Sequence, residues 1–408
     1  MRILILNRTF HPDVASKAQY VSDVAATLAA RGHEVTVVCS RRAYNRPSER
    51  YGRRDTWRGI DIHRLACTGF GKKAKWRRAL DFGTFIISCT LHLFTLRQHD
   101  LVLGMTSPPL ISWIGAMFTR LKGGRFAFWV MDLNPDEAIA AGWLKDGTWV
   151  TRALQWILND SLRHSALVIA LDRHMARRLE AKGVDPGRIQ TLPPWSHDDA
   201  VHFDVEGRTA FRRAHELDGK FVVMYSGNHS PSHPLTTLMR AARVLRKRSD
   251  IVFCFVGGGS EQATVREFAC QFKLTNVLVL PYQPLSQLAG SLSAADLHVV
   301  VMGDRYVGIV HPCKVYNIRA VGVPYLYIGP SESHVTELRP DFAAAHGNVE
   351  AVVSHIQAVA ARGPLAGVPI PADGADLQSR DRLLPQLIQA LERTGGAPVT
   401  DTVPVATL

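Results

Sequence analysis

The sequence predicts an α/β protein made of two doubly wound, Rossmann-like domains, and three observations carry that prediction. The chain has 408 residues, more than one ordinary core accommodates. Short, continuously apolar runs recur along it, such as Ile3–Leu6, Leu101–Leu103 and Leu297–Val301. That is the pattern of parallel strands buried on both faces. Most of these runs lead through a turn into apolar residues at helical spacing, which builds βαβ units in each half of the chain.

In order, Ile3–Leu6 is the first strand, and a loop over residues 7–18 turns at His11-Pro12-Asp13 and contains Ser16-Lys17-Ala18. Tyr20, Val21, Val24, Ala25, Leu28 and Ala29 keep helical spacing until Gly32 caps the helix. Val35–Cys39 closes the unit and places the loop above the carboxyl ends of the strands, where open α/β sheets bind ligands. Residues 41–58 are polar and arginine-rich, and Ile60–Leu65 resumes a strand pattern. The run Lys72-Lys73-Ala74-Lys75-Trp76-Arg77-Arg78 then precedes a strongly apolar helix containing Leu80, Phe85, Ile87, Leu91 and Phe94. Two readings stand side by side here: a peripheral dock on an anionic membrane, or a core helix flanked by a solvated basic turn.

The strand near Leu101 gives way to a helix over Leu110–Arg120, and the apolar run Arg125–Met131 leads directly into Asp132-Leu133-Asn134-Pro135-Asp136-Glu137. An acidic residue at the carboxyl end of a central strand faces the ligand crevice, which makes Asp132 a candidate catalytic group. The alternative is that Asp132 caps the helix starting near Pro135. Helices over residues 150–162 and 172–182 alternate with strands at 166–170 and 189–192. Pro193–Asp199 has no periodicity and reads as the start of a linker.

In the second half, Lys220–Ser226 is a strand leading into Gly227-Asn228-His229-Ser230, and Asp250–Val256 is another ending in Gly257-Gly258-Gly259. Glycine at two strand ends lets bare backbone N–H groups approach a phosphate or a base. The strand Leu297–Val301 precedes Val307–Asn317, in which Pro312 is a favoured first helical residue. Lys314 then falls in the first turn, where it adds a cation to the helix N-terminus, and Asn317 points to the same side one turn later. His229 and His311 are further candidates to neutralise an anion there. The expected domains are 1–195 and 220–375, joined by a linker over 196–219, with a helix at 376–394 and a frayed tail at 395–408.

A formal charge of +12 implies an anionic partner. No nucleic-acid-binding motif accompanies the charge, no strand is followed by G-x-G-x-x-G, and no metal-ligand spacing occurs. The six cysteines are scattered and read as free thiols of a reducing compartment. The sequence shows no signal peptide and no run of roughly 18 apolar residues, so a cytoplasmic location is expected.

Pro312-Cys313-Lys314 followed by Gly322-Val323-Pro324, together with Trp129-Val130-Met131-Asp132-Leu133-Asn134-Pro135, resembles family-4 retaining glycosyltransferases of the branch that builds colanic acid and O-antigen. The resemblance spans residues 1 to about 394. It implies the GT-B fold, whose two domains face each other across a cleft and whose last helix crosses back to the first. It also implies sugar transfer with retention from a nucleotide-sugar, a UDP-sugar above all, to a saccharide or polyprenyl-diphosphate-linked acceptor, with no metal or other cofactor. Asp132 and Lys314 would be the catalytic groups. Gly227, Asn228, Gly257, Gly258, His311, Pro312, Lys314 and Asn317 would hold the nucleotide-sugar, with Ser16 and Lys17 where the family has a Gly-Gly pair. Two glutamates usual in the family are replaced by Ile309 and Asn317. Those replacements support a non-catalytic nucleotide-sugar-binding partner as an alternative; a nucleotide-sugar 2-epimerase is a further alternative, against which they argue because it needs acid/base carboxylates in the cleft.

Overall fold

The computed structural model describes residues 1–13, 15–43, 49–71, 75–195, 201–370 and 379–397. The expected tail and most of Lys72-Lys73-Ala74-Lys75 lie outside the described residues, as do residues 196–200 and 371–378. The chain divides into two compact units, one formed by Met1–His197 with Asp381–Leu408 and the other by Asp198–Arg380.

The first unit is built on strands β1 (Arg2–Leu6), β2 (Glu34–Ser40), β3 (Arg54–Trp57), β4 (Ile60–Leu65), β5 (Leu101–Gly104), β6 (Arg125–Trp129), β7 (Leu167–Ala170) and β8 (Ile189–Thr191). They form one sheet in the order β3-β4-β2-β1-β5-β6-β7-β8, parallel except for the β3–β4 pair. Its helices are α1 (Ser16–Ala30), α2 (Lys75–Thr95), α3 (Ile111–Lys122), α4 (Asp136–Ala140), α5 (Trp149–His164) and α6 (Arg173–Ala181). The chain moves outward from β1 through β2 to β4, then returns to the other side of β1 with β5. The strand order therefore reverses between β1 and β5, and the loops leaving those strands part to open a crevice.

Two local expectations give way here. Ser16 and Lys17 open α1 rather than lying in the loop before it. The arginine-rich stretch contains β3, an exposed edge strand whose polar residues give no buried-strand signal. At the end of the first unit Trp195 is buried, and its indole Nε1 donates to Asp23 Oδ2 at 2.8 Å. Its backbone oxygen accepts from the Tyr20 hydroxyl at 2.8 Å, so the segment before the crossover is pinned to α1.

The second unit begins with α7 (Val205–Ala214), followed by β9 (Phe221–Asn228), α8 (Thr236–Val244), β10 (Ile251–Gly258), α9 (Gln262–Gln271), β11 (Val277–Leu280), α10 (Leu288–Ser293) and β12 (Leu297–Val301). After these come α11 (Lys314–Val321), β13 (Tyr325–Ile328), α12 (His334–Glu337), β14 (Phe342–Ala344) and α13 (Val349–Ala360). Its parallel sheet runs β11-β10-β9-β12-β13-β14, so the order reverses between β9 and β12. Phe253, Phe255, Val299 and Leu326 lie in its main apolar core.

Much of the expected linker belongs to this unit. Arg208 and Arg212 of α7 reach the buried carboxylate of Asp296 at 2.6 and 3.1 Å, and the backbone N–H groups of Val222 and Leu365 donate to the same carboxylate at 2.7 and 2.9 Å. A buried carboxylate with four donors is fully satisfied, and that network ties α7 to the sheet. The last helix, α14 (Arg380–Gly395), returns to the first unit. There Glu392 accepts from Arg31 Nε and Nη2 at 2.7 and 2.8 Å and lies 2.8 Å from His33 Nε2.

Candidate functional site

In the second unit the chemistry gathers at the strand-order reversal. β9 ends in Gly227-Asn228, β10 in Gly257-Gly258, and α11 follows the loop after β12. Cys313 is the N-cap of α11, so Pro312 stands just before the helix instead of inside it. Lys314 is the first helical residue. Part of its side chain remains at the surface, but its Nζ is enclosed and has no hydrogen-bond partner among the described residues. It lies 3.9 Å from the centroid of the buried Tyr225 ring, which supplies a cation–π contact in place of a counter-ion.

Burial drives the Lys314 amine from 10.5 down to about 7. A fall of that size corresponds to roughly 5 kcal/mol set against the charged form. The backbone is shaped to admit it. Gly227 has φ +134°, and a Cβ there would come within 2.9 Å of Lys314 Nζ. Gly257, at φ +136°, would place a Cβ 2.0 Å from the Gly227 carbonyl oxygen. Both positions therefore require glycine on backbone and steric grounds.

The two histidines differ in their surroundings. His229 is buried beside Lys314, and burial first, then the lysine charge, lowers its pKa to about 4. Without an anion beside it the neutral ring is favoured. His311 Nε2 lies 2.6 Å from the Tyr316 hydroxyl, and its ring stacks on His334 at 3.8 Å between centroids. Asn228 is exposed at the rim, and Asn317 stands one turn beyond Lys314 on α11. Ile309 is a buried apolar residue, with no polar atom to offer a ligand where the family has a glutamate.

In the first unit three adjacent strands contribute one residue each. Lys17 follows β1, Thr106 follows β5, and Asp132 follows β6. Lys17 Nζ pairs with Asp132 and donates to the Thr106 hydroxyl at 3.3 Å. Asp132 is not a helix cap: α4 is preceded by Pro135 and has no side-chain cap. Glu137, missed in the sequence, sits on α4 beside this pair and accepts from Asn134 Nδ2 at 3.1 Å. Burial, and then the Asp132 charge, raise its pKa against the opposing pull of Lys17, Asn134 and Arg78. No single-residue signal marks Glu137, because its role depends on the neighbours brought to it. The side chain of Ser16 lies outside the described atoms.

Strand ends at a sheet reversal, one of them carrying an enclosed cation over glycine backbone, are where open α/β folds bind anionic ligands. Solved structures share the fold. The chain aligns with sucrose-phosphate synthase from Thermosynechococcus elongatus at a TM-score of 0.75 and 14% identity, covering 98% of this chain and 100% of that one. It aligns with Anabaena Alr3699/HepE, solved with UDP and glucose, at 0.69 and 13%, covering 97% and 99%. The fold is thus GT-B, the two-domain architecture of nucleotide-sugar glycosyltransferases. Residues 18–195 match the model of the glycosyl transferase 4-like domain. The chain is also 27% identical over 339 residues to WcaI of Escherichia coli (strain K12), covering 79% of this chain and 82% of that protein, whose name assigns it to colanic acid biosynthesis as a glycosyl transferase.

Proposed function

We propose that this protein transfers a sugar, with retention, from a nucleotide-sugar to a saccharide or lipid-linked acceptor in cell-surface polysaccharide assembly at the cytoplasmic face of a membrane. The observation that carries the reading is Lys314, an enclosed amine with no ion-pair or hydrogen-bond partner among the described residues, at a strand-order reversal. A diphosphate supplies the missing charge, and the α11 N-terminus adds its own partial positive charge. In the transition state these groups stabilise the departing diphosphate, and no metal is required for that role. Asp132 orients the reacting sugar or hydroxyl, and the departing phosphate oxygen takes the acceptor's proton. UDP is the favoured nucleotide because HepE, of the same fold, is solved with UDP and glucose.

Helix α2 supports an acceptor held at a membrane. One of its faces buries Phe85, Cys89 and Leu93 in the core. The opposite face exposes Trp76, Leu80, Ile87, Leu91 and Phe94, which fall within roughly 60° of one another on the helix. Arg77 and Arg78 lie in the first turn of the helix, beside Trp76 in sequence and off the stripe. Apolar side chains in line, with cations in the first turn of the same helix, fit the interface of an anionic bilayer. No helix among the described residues is long and apolar enough to cross a membrane.

The test offers the purified protein a panel of UDP-, GDP- and dTDP-sugars with membrane lipid extract and follows nucleoside diphosphate release with and without EDTA. Release that needs the extract, survives EDTA and disappears in Lys314→Met supports the transferase. Tight nucleotide-sugar binding without release under any condition replaces it with a non-catalytic binder, the reading that Ile309 and Asn317 favour. Sedimentation with phosphatidylglycerol vesicles, lost in an Ile87→Asp/Leu91→Asp variant, checks the membrane face.

A further inference from the structure

Beside Asp132 the first unit holds a hollow that the diphosphate chemistry does not use. Its walls come from the loop after β5 (Met105, Leu110), from Phe128 of β6, from Ala138 of α4, and from Leu154 and Leu158 of α5. The hollow is partly open and leaves about 90 Å³ to the centres of water-sized groups. Roughly 10–15 Å³ of such space already holds one water, so the hollow takes a branch of several heavy atoms. A whole polyprenyl chain is many times larger, so a short group fits better.

Thr106, Ser112, Asp132 and Asn134 supply the polar side chains of the lining. Thr106 is engaged by Lys17, and Asn134 gives its amide N–H to Glu137. The Asn134 carbonyl oxygen takes no hydrogen bond among the described residues, so it is open to an incoming N–H. A second observation comes from the backbone. Leu110 holds a left-handed conformation, φ 79° and ψ −10°, at the N-cap of α3 while lining the hollow. Such a conformation is costly for leucine and persists where the surroundings impose it, which is common around ligand sites.

We propose that this hollow seats the acetamido group of the acceptor sugar, its methyl among Leu110, Leu154 and Leu158 and its N–H on the Asn134 carbonyl. The inference rests on the transferase reading and names its acceptor class. A hydroxyl at the same carbon would leave the apolar walls facing a polar group or empty. Discrimination between the two is expected at 10-fold or more in kcat/KM, the range a pocket of this kind delivers for small apolar groups.

The test pairs methyl 2-acetamido-2-deoxyglycosides with their 2-hydroxy parents in the gluco and galacto series. Saturation-transfer NMR on the protein without donor reads binding independently of turnover. The expected result is strongest saturation at the acetyl methyl, lost in Ala138→Leu, which fills the hollow, with the melting temperature retained. Leu154→Ala, which enlarges it, shifts preference toward propionamido sugars. Acetyl saturation without transfer under any condition keeps the seat and removes the transferase reading. Equal saturation of both sugars, none of either, or a preference unchanged in both variants overturns the seat.

Discussion

Each unit places a lysine at the carboxyl edge of its sheet, and the two lysines are in opposite electrostatic states. Lys17 is partly exposed and already has a carboxylate, Asp132, and a hydroxyl, Thr106. Lys314 Nζ is enclosed, has no hydrogen-bond partner among the described residues, lies against the Tyr225 ring, and is driven down to about 7 by burial. A satisfied ion pair holds side chains in place. An unsatisfied buried cation costs stability until an anion arrives, so it marks where the fold expects one.

The largest effect should come from removing the unsatisfied cation. Lys314→Met is expected to lower kcat by about 10²–10³ as an electrostatic stabiliser is lost. The ligand-free protein should melt higher, because an apolar side chain replaces a buried amine. Calorimetry with and without UDP checks both; a variant that melts lower without ligand breaks the contrast. Asp132→Asn should follow, with kcat down by about 100-fold and nucleoside diphosphate affinity retained, as befits a group acting on the sugar. Parallel titration calorimetry and initial-rate measurements separate the two.

The third effect is a pH dependence confined to one unit. In the empty site Lys314 loses its proton near pH 7, whereas the unfolded chain keeps it to about 10.5. The unfolded state therefore binds more protons across that window, so the ligand-free fold gains stability as pH rises from 7 towards 10. Anion binding runs the other way. Nucleoside diphosphate affinity should fall by up to about tenfold per pH unit above 7, with proton uptake on binding, and Lys314→Met should abolish the slope. The smallest effect is expected from Lys17→Met. A partly exposed pair contributes about 1 kcal/mol or less, so stability should shift little while kcat falls several-fold as Asp132 loses its orientation. Chemical denaturation and rate assays read the two quantities.

Most strands of both sheets were legible because residues buried on both faces leave continuous apolar runs, as Leu297–Val301 does, but the short edge strand β14 leaves no such run. Lys314 was legible because the proline and turn before it announce a helix N-terminus. β3 was not, since an edge strand such as Arg54–Trp57 keeps its polar side chains in water. α7 passed for linker because Arg208 and Arg212, the residues that bind it to Asp296, look like solvent-facing charge in a linear reading. The Lys17–Asp132 pair joins residues 115 positions apart, and periodicity carries no information over that distance. The lowered pKa of His229 is illegible for the same reason: burial and the nearby Lys314 set it, and both are tertiary facts.

Glu392, almost the last helical charge of the chain, clasps Arg31 and His33 in the same unit as the first strand. On the ribosome, residues 201–370 emerge and can close their own sheet while the earlier unit still lacks α14. The half made first is therefore the half completed last, and nascent chains stalled short of α14 would display an open seam at α1 and β2 to the chaperones that meet them.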